Sequence, residues 1–81
     1  MNAYKAVKEA ATNKRISTNA VSRALGKADS YISSGITRGS TPKADTLAAM
    51  LEVCGYKLAA IPADDLPDTA LVIDPPNKEM E

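Results

Sequence analysis

Between Lys27 and Arg38 the chain reads KADSYISSGITR, a dense run of side chains able to make specific polar contacts. In helical projection Asp29, Ser30, Ser33, Ser34 and Thr37 fall on one side, while Ile32 and Ile36, four residues apart, fall on the other. Lys27 and Tyr31 stand next to the polar side. A hydroxyl donates or accepts a hydrogen bond, and short polar side chains let a helix approach base edges in a major groove, where each base pair offers its own donors and acceptors. The chemistry open to this stretch is therefore recognition of a surface. A plain solvated helix face has the same composition.

Catalysis has no comparable support. There is no histidine and one cysteine, no glycine-rich phosphate loop, and no nucleophile with a recognisable base. Asp64 and Asp65 are adjacent in a loop among prolines, without the spaced further ligands that a calcium loop requires. No enzyme, metal site or cofactor is expected. Cys54 sits in an apolar helical pattern and reads as a buried, inert thiol.

Three elements must position the polar stretch. A helix of about Ala3–Asn13, capped by Asn2, carries Tyr4, Val7, Ala10 and Ala11 at steps of three and four. A second helix starts at Ser17, whose hydroxyl can accept from an amide of the opening turn, and turns Val21, Ala24 and Leu25 inward. Gly26 then supplies a sharp turn with positive φ, and a third helix runs from about Ala28 to Thr37. After the loop RGSTPK, Thr41 and Pro42 read as cap and first residue of a fourth helix. Its inward side is Ala44, Leu47, Ala48, Leu51 and Cys54, broadened by Met50 and Val53, and Gly55 closes it.

The stretch ISTNAVSRALGKADSYISSGITRGSTPKADTL resembles the Cro/C1-type (XRE-like) helix-turn-helix family of phage and bacterial repressors, over roughly residues 3 to 56. The resemblance is carried by polar Thr18 opening the second helix, small Ser22 four residues on, Gly26 at the turn, Ile32 anchoring the third helix, and Pro42, Thr46 and Leu47 beyond. Two positions depart from the family pattern. Ser22 replaces its usual alanine, and Gly35 occupies a place normally held by a core apolar residue. Glycine inside a helix costs about 0.5–1 kcal/mol relative to alanine, so the third helix is expected to be soft or to end early.

The resemblance implies a mainly α fold, a four-helix Cro/C1-type (lambda-repressor-like) domain followed by a C-terminal β element. It also implies a homodimer on double-stranded DNA, with the third helices about 34 Å apart to meet half-sites one turn apart. Asp29, Ser30 and Ser34 match the family's base-reading positions, with Lys27, Tyr31 and Ser33 as further readers. Asp29 would favour the amino group of cytosine, or would simply cap its helix at the favourable end of the dipole. Thr18, Asn19, Thr37, Arg38 and Lys43, together with Lys14 and Arg15 of the first loop, would hold phosphates and set register.

The remaining sequence fits one small domain. At 81 residues such a chain buries only about 60 per cent of its unfolded surface and gains from dimerisation. With 44% hydrophobic and 25% charged residues it has a soluble, globular composition. No apolar run approaches the roughly 20 residues of a membrane span, and MNAYKAVKEA has no secretory core, so no membrane partner and a cytoplasmic location are expected. Net charge is zero, yet residues 1–43 carry eight basic and two acidic side chains, leaving +6 there and −6 in the rest. That segregation would turn the basic half toward a phosphate backbone.

Residues 57–74 change pattern: YKLAAIP alternates in part and TALVID is rich in β-branched residues. They are expected to form a β-hairpin that packs on residues 1–56 and pairs with its copy in a second chain, since a lone hairpin is marginal in water. Residues 75–81, PPNKEME, are expected to be disordered. Two further readings stay open: an antitoxin of the same fold, because GYKLAAIP resembles the strand of some antitoxins, which would add a toxin as partner; and an interaction module that has lost DNA binding.

Overall fold

The structure, a computed structural model, describes residues 1–75. It is mainly helical: α1 (Ala3–Lys14), α2 (Thr18–Ala24), α3 (Tyr31–Arg38) and α4 (Ala44–Val53), followed by a largely irregular arm with one 3₁₀ turn at Ala63–Asp65. The caps expected of Asn2 and Ser17 form. The Asn2 side chain accepts from the Lys5 amide at 2.9 Å and Ser17 Oγ from the Ala20 amide at 3.0 Å. Each stands in extended backbone just ahead of its helix, the geometry that frees a cap side chain to turn back on the first amides.

All four helices end alike, with an amide reaching back five residues to a carbonyl of the last turns: Ile16 to Ala11, Lys27 to Ser22, Ser40 to Gly35 and Tyr56 to Leu51. The turn needs one residue in the left-handed region. Gly26, Gly39 and Gly55 fill it after α2, α3 and α4, whereas Arg15, at φ 66°, fills it after α1. A side chain there is strained by about 1–2 kcal/mol.

Tyr4, Val7, Ala10 and Ala11 of α1, Val21 of α2, Ile32 of α3, and Leu47, Met50, Leu51 and Cys54 at the end of α4 form one buried cluster. Two alanines expected inside, Ala24 and Ala44, are exposed. The inward face of α2 is instead Val21, fully buried Ser22 and half-buried Leu25. An alanine methyl adds too little burial to fix a helix's rotation against larger neighbours. The fourth helix also begins later than Thr41–Pro42 implied: Lys43 is its first flanking residue, with no side-chain cap. Proline biases Thr41 to extended backbone, and Lys43 too is extended, at ψ 155°, carrying the chain from α3 to α4.

Gly35 does not shorten α3, which continues to Arg38. A Cβ on Gly35 would lie 2.6 Å from both Cε2 and Cζ of Tyr4, closer than any van der Waals contact. The Tyr4 ring from α1 thus occupies the space that a core side chain of α3 would fill, and it meets Tyr31 edge-on, with ring centroids 6.2 Å apart at 75°.

The expected β-hairpin over 57–74 is absent: no residue there is in a strand. Prolines at 62 and 67 remove two ladder donors, and the residues between them coil into the 3₁₀ turn. The arm still packs on the helices, with Leu71 and Ile73 against the core, and the Asp74 amide bonds the Met1 carbonyl at 3.0 Å. Among the described residues no helix is long and apolar enough to cross a membrane. The tail beyond Pro75 lies outside the described residues.

Candidate nucleic-acid interface

Between them α2, the turn at Gly26 and α3 place every residue of the polar stretch. Ser22 ties the two helices from within: its Oγ donates to the Thr18 carbonyl at 2.9 Å and accepts from the Ile32 amide at 3.4 Å, a long bond. That contact offers an acceptor to an amide in the first turn of α3. The buried Ser22 hydroxyl is thus satisfied on both sides.

Because α3 begins at Tyr31 rather than Ala28, Lys27, Asp29 and Ser30 precede the helix and belong to its approach. Ser30, Ser33 and Thr37 are exposed and Ser34 is half-buried, so Ser33 occupies the middle of the outer stripe and Ser34 its edge. Ser33 Oγ donates to the Ser30 carbonyl at 3.3 Å. Ile32 and Gly35 are buried and Ile36 half-buried beneath them.

Asp29 does not cap α3: the N-cap position is held by Ser30, whose side chain makes no cap bond, and the Ile32 amide is met instead by Ser22 Oγ. Asp29 Oδ2 lies 3.3 Å from an outer nitrogen of Arg23, across the turn. Lys27 and Tyr31 are brought together, with Nζ 5.2 Å from the ring centroid, within cation–π range. The Tyr31 ring is half-buried and meets Tyr4 edge-on. Arg23 is the residue that the sequence did not single out; an acid and a base six residues apart across a turn are too common to be a signal.

The residues expected at phosphates lie around this stripe. Thr18 is half-buried at the start of α2, and Asn19 beside it is exposed. Thr37 and Arg38 end α3, and Lys43 precedes α4; all three are exposed. Arg15 projects from its strained turn into solvent. Lys14 is placed differently, with Nζ 3.5 Å from where a Gly55 Cβ would stand, at the carbonyl end of α4 where a cation is favoured.

Two ionisations inside the domain are displaced. Burial pushes the Tyr4 hydroxyl above its ordinary value, helped by the neighbouring Tyr31 and opposed by Arg38 and Ser40. Burial likewise raises the Cys54 thiol, opposed by Lys14, which fits an unreactive cysteine. Compared with known proteins, the chain matches no family model, no curated protein and no solved structure.

Proposed function

We propose that this chain is a sequence-specific double-stranded DNA-binding transcriptional regulator of the Cro/C1 helix-turn-helix type, a repressor acting as a homodimer on an inverted-repeat operator. The observation that carries this is the exposed stripe of Ser30, just ahead of a short helix, and Ser33 and Thr37 on it, braced from behind by Ile32 and Ser22, in the half of the chain that bears +6. α3 enters the major groove with Asp29, Ser30, Ser33 and Ser34 toward base edges. Thr18, Asn19, Arg15, Thr37, Arg38 and Lys43 hold phosphates on either side. Repression follows from covering a promoter.

The dimer draws support from the arm. Leu58, Ile61, Leu66 and Val72 are 41–46% exposed, and they border an open groove of about 810 Å³ that reaches Leu47 and Leu51. Apolar surface gathered in one segment marks an association site. The same surface favours the second reading, a module that binds another protein through its arm, as an antitoxin binds a toxin.

Selection of the purified chain against a random duplex library at about 150 mM salt decides between them. Enrichment of an inverted repeat with half-sites 10 to 11 base pairs apart supports the operator-binding dimer. Affinity that stays near 10⁻⁴–10⁻⁶ M for every duplex, the non-specific range, overturns it in favour of the interaction module.

A further inference from the structure

We infer that Arg23 is a specificity-determining residue held in place by Asp29, so that the two act on DNA as one unit. The inference rests on the operator-binding reading and adds a residue and a base preference to it. Three observations carry it. Asp29 stands one residue ahead of the N-cap of α3, Ser30, which makes no side-chain cap bond, and instead of turning to that helix end its Oδ2 is directed back across the turn to Arg23 at 3.3 Å. Both side chains stay largely in solvent, at 57% and 60% exposure, where an ion pair adds little to stability; its effect is orientation. The pair also lies at the approach to the polar stripe, next to exposed Ser30.

A carboxylate by itself at a groove edge is repelled by phosphates. With a guanidinium on one oxygen that repulsion is offset, and the remaining donors of the rigid fork are aimed. Arginine presented in that way pairs bidentately with the O6 and N7 acceptors of guanine. The unit therefore reads guanine, and Asp29 acts as the positioning residue.

The test is selection of the full chain and of the variants R23K, D29N and R23K/D29N from one random duplex pool, with thermal melting of each as the control for folding. The expected result is a guanine preference at one position of each half-site, about 5- to 150-fold over the other bases as for one good bidentate contact. R23K and D29N should each lose it, and the double variant should lose no more than either alone. Lysine keeps the charge and lacks the fork, so a contact of charge alone would survive R23K. An operator whose base preferences are unmoved by R23K, or losses that add independently, overturns the inference and leaves DNA binding standing. Absence of any enriched sequence for the unmodified chain overturns both.

Discussion

Residues 3–54 and residues 57–75 are both rich in aliphatic side chains, yet Val7 and Ile32 are wholly buried while Ile61 and Val72 are nearly half exposed. The difference lies in backbone hydrogen bonding. In the helices the peptide groups satisfy one another, so apolar residues at steps of three and four are delivered to one face. In the arm, prolines at 62 and 67 interrupt any ladder, and the side chains have no shared face to form. Aliphatic content makes a core only where the main chain can bond to itself.

The largest effect expected is where the two regions are compared at one residue type. Ile32→Ala should cost about 2–5 kcal/mol, much of the stability of a small domain, whereas Ile61→Ala should change it by less than about 0.5 kcal/mol. Denaturant titration of both variants at dilute protein measures the contrast. Equal losses would mean that the arm belongs to the monomer's core.

A smaller effect sharpens the picture within the helices. Gly35→Ala adds a methyl where the Tyr4 ring already stands, at about 1–3 kcal/mol for overpacking, against the roughly 1 kcal/mol that alanine gains over glycine in a helix. The net loss should be about 1 kcal/mol. In a Tyr4→Leu background the same substitution should stabilise instead. A Gly35→Ala loss of the same size in both backgrounds would dissociate α3's glycine from the tyrosine.

Next in size comes the C-terminus of α1, which turns at Arg15 where α2, α3 and α4 turn at glycine. Arg15→Gly should raise stability by about 0.5–1 kcal/mol, the left-handed strain relieved less the entropy of glycine, or several degrees in Tm. If Arg15 holds a phosphate, the same variant should weaken binding to all duplexes and lower the salt slope by about one. A gain in stability with an unchanged slope would strike Arg15 from the interface.

The smallest effect near neutrality is one of pH. Tyr4 and Cys54 both have folded-state values raised by burial, so the stability they contribute is fully present below their unfolded values, about 10 and 9. It is lost as pH rises through the folded values. Melting temperature should be flat from pH 6 to 8 with respect to these groups and fall above pH 9, and Tyr4→Phe should remove part of that fall.

Local chemistry made much of the fold legible. The caps at Asn2 and Ser17, the turn at Gly26 and the close at Gly55 each depend on residues within five positions, and each stands where it was read. What could not be read depends on distance or on small differences. The reason for Gly35 lies 31 residues away in Tyr4. The exposure of Ala24 and Ala44 turns on a single methyl, and the orientation of Asp29 on a competition between a helix end and Arg23. Of the polar stripe, Ser33 and Thr37 lie on the outer face of α3 as the spacing implies, whereas Asp29 and Ser30 precede the helix and Ser34 is half-buried, because α3 begins three residues later than the pattern suggests. The arm misled because β-branched alternation describes a strand's side chains and is silent about its donors.

The contact between Tyr4 and Gly35 also constrains how this chain can change over generations. A lineage that acquires a large side chain at position 35 while tyrosine stands at 4 passes through a poorly folded ancestor. One that first shrinks position 4 opens a void that a later substitution at 35 can fill. The two sites are therefore free to drift in one order and barred in the other, and descendants of a common sequence should be found with a large residue at one of them, seldom at both.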